Sequence, residues 1–432
     1  MHATLNDLAV ELLSEILWHT QPTYPKYLGQ HEFPDDPTRH YLNQWLGDIA
    51  SLNHAWYSAA TPILYSTIRV TTERGEREGV ERRLESVKKH GRFVKYLTLD
   101  VAYRGGEIPF DTDFLSDLGA HLPSCTHVRF LIHPDATEND VNHLYTTLIS
   151  FDHPKTQLRS IQITSHPLQT QLRLPYILSM VPTVVASQLE ALEISGWRPT
   201  LEYLTVPSRL QSKFSNIQRL SLDRIVTYNQ DGRNDILEFA LSITLPLSSL
   251  RSLYLSESNF STSSITSFLQ TPVVTSSNMH TTAGFNLTYL HINGYPAAFE
   301  GGGFDLLTTP FHLVNLCPHL TTFLYFVPCP KLFLLPGEKR ILELEDVTGS
   351  IPQSLVQLGL QIMNSYWPSP ILSGTLDAIV RWAKTPEDRK NVKELVLRCD
   401  AGLNSEDERT RVEEELGKLG MVVNIVIAKL DY

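Results

Sequence analysis

Leu250-Arg251-Ser252-Leu253-Tyr254-Leu255 carries the pattern that decides the fold: apolar, two residues, apolar, one residue, apolar. Residues two apart in an extended chain lie on one side of it, so Leu253 and Leu255 face one way and Tyr254 the other. The same triad recurs on both sides of this stretch. Before it come Val94/Leu97/Leu99, Cys125/Val128/Phe130, Leu158/Ile161/Ile163, Leu189/Leu192/Ile194 and Ile217/Leu220/Leu222. After it come Leu287/Leu290/Ile292, Leu320/Phe323/Tyr325, Leu355/Leu358/Leu360, Val392/Leu395/Leu397 and Val422/Ile425/Ile427. The middle residue advances by about 28 to 37 positions each time, a period that marks stacked repeats.

Helical spacing fills the intervals. Asp113 to Leu122 sets Phe114, Leu115, Leu118 and Leu122 on one face, and Thr137-Glu138-Asn139-Asp140 opens a helix carrying Val141, Leu144, Tyr145 and Leu148. Asp235 to Leu241 and Leu376 to Trp382 read the same way, and Ser405-x-x-Glu408 is a capping box ahead of Val412, Leu416 and Leu419. Strand, helix and strand at this period require a parallel sheet, because parallel neighbours need a crossover of this length. The expected fold class is therefore α/β: a curved solenoid with a parallel inner sheet and outer helices. The pattern resembles leucine-rich repeats of the long, irregular kind. It departs from their consensus where Ser195, Asp223 and Ser256 stand at the usual strand-closing Asn, and its period is longer.

The amino end differs. Leu8, Leu12, Leu13, Ile16 and Leu17 repeat at the spacing of one apolar helix face, with Asp7 as a candidate N-cap. Ile49, Leu52 and Trp56 repeat that spacing, and Pro62 is expected to end the second helix. Helices this short leave apolar surface for something else to cover.

This stretch resembles an F-box, the motif that docks a substrate receptor onto a Skp-family adaptor and through it a cullin–RING ubiquitin ligase. The resemblance lies in Leu8, Ala9, Glu11, Leu12, Leu13, Ile16 and Leu17, then Leu52 and Trp56, then Leu64, Tyr65 and Ile68. It implies an adaptor interface drawn from Leu8, Ala9, Leu12, Leu13, Ile16, Leu17, Leu52 and Trp56, with Trp56 the residue most expected inside. Ala9 replaces the family's proline. An insertion at about 19–41, holding Pro22, Pro25, Pro34 and Pro37, separates the halves and reads as an extended loop. The plain alternative is a helical cap on the larger domain.

The expected division is a helical F-box-like domain at 1–70, a linking helix at 71–92 and a repeat domain at 93–432, with the last repeat and cap at about 392–432. The linker alternates Arg77, Arg82, Arg83, Lys88 and Lys89 with Glu73, Glu76, Glu78, Glu81 and Glu85, and Val80, Leu84 and Val87 give it an apolar stripe. A solvated helix face fits this better than a nuclear-import patch.

The totals exclude several functions. At 432 residues the chain exceeds one ordinary core. A net charge of −11 argues against nucleic acid, which needs a basic face. Four cysteines without a C-x-x-C pair suggest free thiols of a reducing compartment and no zinc site. No basic-then-apolar leader and no apolar run of about twenty residues is present, so an intracellular protein without membrane attachment is expected.

No nucleophile elbow, zincin, P-loop or dinucleotide motif occurs, so no catalytic residue, cofactor or metal is assigned. Gly301-Gly302-Gly303 lacks the Lys-Ser/Thr of a phosphate loop, and Asp111-Thr112-Asp113 falls where acids favour a helix start. An enzyme with a site dispersed in sequence stays open as an alternative. For binding a protein substrate, the residues beyond strand ends are Trp197, Arg198, Tyr228, Tyr295 and Trp367, types that dominate interface hot spots.

Overall fold

The computed structural model describes residues 9–20, 44–70, 85–101, 112–134, 136, 138–152, 157–166, 173–197, 208–225, 236–245, 247–256, 258, 262–274, 280–293, 309–326, 351–362, 379–386, 390–400 and 406–428. The chain forms two compact units, Met1–Arg198 and Pro199–Tyr432.

The first unit opens with helices α1 (Val10–Thr20), α2 (44–50) and α3 (His54–Leu64). Strand β1 (Thr67–Val70), helix α4 (85–90) and strand β2 (Tyr96–Val101) follow. The unit continues through α5 (Thr112–His121), β3 (His127–Ile132), α6 (Glu138–Ser150), β4 (Ser160–Ser165), α7 (Leu174–Met180), α8 (Thr183–Gln188) and β5 (Ala191–Ser195). Strands β1 to β5 lie side by side in chain order, all parallel. Thr67–Val70, which the sequence reading puts at the end of the helical domain, is thus the first strand of the sheet.

The second unit holds β6 (Arg219–Asp223), α9 (Ile236–Thr244), β7 (Ser252–Ser256), α10 (Thr262–Gln270), β8 (Pro272–Val274), β9 (His280–Thr282) and α11 (Ala283–Asn286). It then runs through β10 (Tyr289–Asn293), α12 (Thr309–Asn315), β11 (Thr322–Phe326), β12 (Gln357–Ile362), α13 (379–384), β13 (Glu394–Asp400), α14 (Glu406–Lys418) and β14 (Val422–Ala428). The order β6-β7-β10-β11-β12-β13-β14 is parallel wherever neighbours pair. Between β7 and β10 in sequence, β8 and β9 form a separate antiparallel pair, which no periodic signal announced.

One backbone device fixes the register from repeat to repeat. The carbonyl just before a strand accepts the N–H groups of two successive residues at the start of the next strand. Ser66 O takes Lys95 N and Tyr96 N, Lys95 O takes Thr126 N and His127 N, and Thr126 O takes Arg159 N and Ser160 N. In the second unit Arg251, Thr288, Thr321 and Val356 do the same. Each such junction satisfies buried backbone donors that a crossover would otherwise strand.

In this register, ten of the eleven triads fall where the pattern put them: Leu97 opposite Val128, Ile161 opposite Leu192, Leu253 opposite Leu290, Leu358 opposite Leu395. The eleventh is shifted by two. Val423 pairs with Leu395 and Ile425 with Leu397, so Val422/Ile425/Ile427 is not the equivalent set. Val423, Ile425 and Ile427 alternate along one face of β14, so the pattern fits in two registers two residues apart, and backbone pairing selects one.

The triad side chains form the core. Leu97, Val128, Ile161, Ile163, Leu253, Leu255, Leu290 and Leu395 are wholly buried. Each contributes roughly 1.5–3 kcal/mol of transfer free energy. Close approach of the covering helices needs small residues. At Gly119 of α5 an added Cβ would lie 2.0 Å from Ser150 O at the end of α6, and the Gly119 N–H donates to Ser150 Oγ at 3.0 Å.

The helical module corrects one expectation about proline. The break falls at Ser51–Asn53, where Asn53 Oδ1 accepts Trp56 N at 3.1 Å and caps α3. Pro62 lies inside α3, close to its end. The helix tolerates it there because Tyr65 N still reaches Thr61 O at 3.0 Å, and the chain exits three residues later. Of the linking segment, 85–90 is helix with Val87 buried, and Asp7, Ser405 and the insertion at 21–41 lie outside the described residues.

Candidate functional site

Helices α1, α2 and α3 close a small core of Leu13, Leu17, Leu46, Trp56, Ala59, Ala60 and Ile63. Ser14 Oγ donates to Ala59 O at 3.2 Å and pins α1 to α3. Leu13 and Leu17, four apart, form the stripe that meets α3. Three residues expected at the adaptor interface are therefore interior: Leu13 is 0% exposed, Leu17 1% and Trp56 8%. Their surfaces are spent on the module's own packing. What the module presents outward is Leu12 at 51%, Leu52 at 66% and Tyr57 at 45%, with Ala9 exposed and Ile16 half-buried. Tyr57 was not singled out in the sequence, and Leu8 lies outside the described residues.

Of the residues expected to bind a substrate, Trp197 is corrected. It follows Gly196, which takes φ +73, and is 2% exposed. It offers no surface. Arg198, Tyr228, Tyr295 and Trp367 lie outside the described residues, as do Gly301–Gly303 and Asp111.

The strand residues between the triad positions line the other side of each sheet, where Thr98, Asp100, Gln162, Ser195 and His291 are polar and buried. In the first unit Arg69 Nε and Nη2 meet the Asp100 carboxylate at 3.1–3.3 Å, a forked ion pair between β1 and β2. Gln162 Nε2 donates to Glu193 Oε1 at 2.5 Å and Ser195 Oγ to Thr164 Oγ1 at 3.0 Å. The Tyr96 and His127 rings stack at 4.6 Å.

In the second unit the same side gathers aromatic rings around an imidazole. His291 of β10 is 2% exposed. It meets the edge of Tyr254 (β7) at 4.5 Å and of Phe326 (β11) at 5.4 Å, and Tyr289 Oη lies 3.4 Å from its Nδ1. Burial, then the nearby Arg398 guanidinium, pushes its pKa down to about 3, so the ring is neutral at ordinary pH. Burial holds the Tyr289 phenol well above its usual range, so that hydroxyl keeps its proton.

The buried Nε2 of His291 has no hydrogen-bond partner. Two residues on, Asn293 accepts from Arg398 Nη1 at 2.6 Å through Oδ1 and donates to Ser256 Oγ at 3.3 Å. Gly359 of β12 leaves the space these rings use: a Cβ there would lie 2.6 Å from Leu324 Cδ2 and 2.9 Å from Phe326 Cζ.

Among the described residues no three His, Cys, Asp or Glu side chains are grouped to hold a metal ion, and no helix is long and apolar enough to cross a membrane. Cys125 and Cys317 are buried thiols whose pKa burial pushes up to about 12, which leaves them protonated and poor nucleophiles.

No family model and no curated protein matches the sequence. Eight solved chains are similar to it. One is the leucine-rich repeat-containing protein LegL7 from Legionella pneumophila, 12% identical, with a TM-score of 0.41 over 82% of this chain and 98% of that one. That likeness assigns this chain no function.

Proposed function

We propose that the protein is a non-catalytic recruiting adaptor. Its N-terminal helices dock a Skp-family adaptor of a cullin–RING ubiquitin ligase, and its repeats hold a protein substrate. The observation that carries this reading is the outward Leu12, Leu52 and Tyr57 on a helical module whose own core is already closed. Large apolar side chains left outside a filled core are available to a second polypeptide. Such an adaptor acts by effective concentration, holding a substrate near the conjugating machinery without supplying a reacting group.

Co-expression with a Skp-family adaptor tests this. The full chain is expected to co-purify with the adaptor, and Leu12→Asp combined with Leu52→Asp to lose it while the chain stays folded. Co-purification unaffected by the double variant would overturn the docking face.

A second reading has its own support: a protein-binding repeat array that works outside any ligase. Chain leaves α3 at Tyr65 and enters the sheet at Thr67, and Ser66 O is already the first register junction. In that reading the helices cap the array. A folded full-length protein that ignores the adaptor and still captures a protein partner through its repeats favours it.

A further inference from the structure

Among the described residues β14 is the last strand of its sheet, and no strand pairs with its outer edge. Val422 N–H donates to Lys393 O at 2.8 Å. In a parallel ladder alternate residues turn their N–H and C=O to opposite sides. Val422, Asn424 and Val426 therefore bond β13, while Val423, Ile425 and Ile427 present theirs outward. The core is also open at this end. Leu395 and Leu397 of β13 are 0% exposed, yet Val423 and Ile425, their partners in register, are only half-buried. Repeat arrays need a polar cap at their ends, and natural sheets guard an edge with a charge or a proline. The strand Val422–Ala428 has neither, reading Val-Val-Asn-Ile-Val-Ile-Ala.

We infer that β14 is an interface for a second copy of this chain, paired antiparallel and edge to edge about a twofold axis at Ile425. That register sets Ile425 against its own copy and Val423 against Ile427 of the other copy. Each outward N–H and C=O then meets an outward group of the second strand. No side chain of one strand meets a like charge on the other, because the strand carries no charge. The half-buried Val423 and Ile425 continue the apolar row of the triads across the axis. One surface is used twice, so the contact closes at two copies. The pairing stands whether or not the N-terminal helices bind an adaptor.

Sedimentation velocity on the 432-residue chain over a range of concentrations is expected to show a reversible monomer–dimer equilibrium. Amide exchange then locates the contact. Val423, Ile425 and Ile427 are expected to be protected where the dimer dominates and to exchange freely on dilution, while Asn424 and Val426 stay protected throughout. A chain that is monomeric at every concentration overturns the pairing, as does a dimer whose outward amides stay unprotected. Protection of those amides in a monomer would give the edge to another segment of the same chain, and overturns it too.

Ile425→Pro removes an outward N–H that no bond to β13 uses, a position where an edge strand tolerates proline. It is expected to weaken dimerisation at least about tenfold. Because that ring touches the half-buried side of the strand, Asn424→Lys provides an independent arm. Asn424 is exposed, and a lysine there sets like charges diagonally across the axis. Amide exchange in β10 to β13 is expected to match the parent in both variants. Undiminished dimerisation of both overturns the interface.

Discussion

Arg398 Nη1 donates to Asn293 Oδ1 at 2.6 Å, joining residues 105 positions apart in sequence. Asn293 stands on β10 beside Phe326 of β11, and Arg398 on β13 beside Gln361 of β12. The bond therefore spans two intervening strands. Repeat arrays are held mainly by nearest-neighbour contacts; here one side chain ties repeats that are not neighbours. That tie runs along the side of the sheet away from the triad core, the same side on which His291 is enclosed.

The room for this arrangement depends on a residue with no side chain. Gly359→Ala would bring a Cβ to 2.6 Å from Leu324 Cδ2 and 2.9 Å from Phe326 Cζ, so both must shift. Overpacking of this kind costs about 1–3 kcal/mol. Hydrogen exchange is expected to speed up in β11 and β12 while β2 to β4 keep their protection. Unchanged exchange in β11 would mean that the Phe326 ring does not lie over Gly359.

His291 makes the second unit sensitive to acid. Its folded pKa, about 3, lies below the unfolded value of 6.5, so the unfolded chain takes up the proton first as pH falls. The stability tied to the neutral ring is fully present above 6.5. It is lost progressively toward pH 3, at up to about 1.4 kcal/mol per pH unit. The groups facing the ring are Tyr254, Tyr289, Phe326 and Arg398. Denaturant midpoints followed through β10 and β13 are expected to fall from pH 6.5 to pH 4, and less steeply in His291→Phe. Parallel slopes for the two proteins would refute the assignment.

The repeat was legible because core-facing residues announce themselves. Leu253 and Leu255 are apolar for the same reason wherever the triad occurs, and burial keeps them so. The residue between them obeys no such rule. Tyr254, His291, Gly359 and Arg129 hold equivalent places in their strands, and their chemistry appears only when pairing sets them side by side. Loop aromatics such as Trp197 stand out by their type, yet the side chain of Trp197, just past β5, is buried. The helical module misled in another way. Leu12 and Leu13 are adjacent and equally apolar, and only the approach of α3 decides that Leu13 is inside.

On the first unit the forked pair of Arg69 and Asp100 gives an asymmetric prediction. The Asp100 side chain is 10% exposed and that of Arg69 33%. Arg69→Met removes a guanidinium from a nearly buried carboxylate and is expected to destabilise by about 1–3 kcal/mol, the outer exposure of Arg69 keeping it toward the lower end. Arg69→Met with Asp100→Asn is expected to recover part of the loss. Thermal unfolding of the two variants reads the difference, and a double variant no better than the single one would show that the charge pairing is not what Asp100 needs.

Leu12 and Leu13 offer the sharpest contrast in the molecule, since one methylene-rich side chain faces out and its neighbour is sealed in. Leu13→Ala leaves a cavity among Leu17, Leu46, Trp56 and Ile63 and is expected to cost about 2–5 kcal/mol. Leu12→Ala, at 51% exposure, is expected to stay within about 0.5 kcal/mol. Hydrogen exchange in α1 and α3 separates the two without assuming that the whole chain unfolds in one step. If Leu13→Ala left α1 and α3 as protected as before, the helices would not be held by their own interior. The outward Leu12 and Leu52 would then lose their standing as surface left over for a partner.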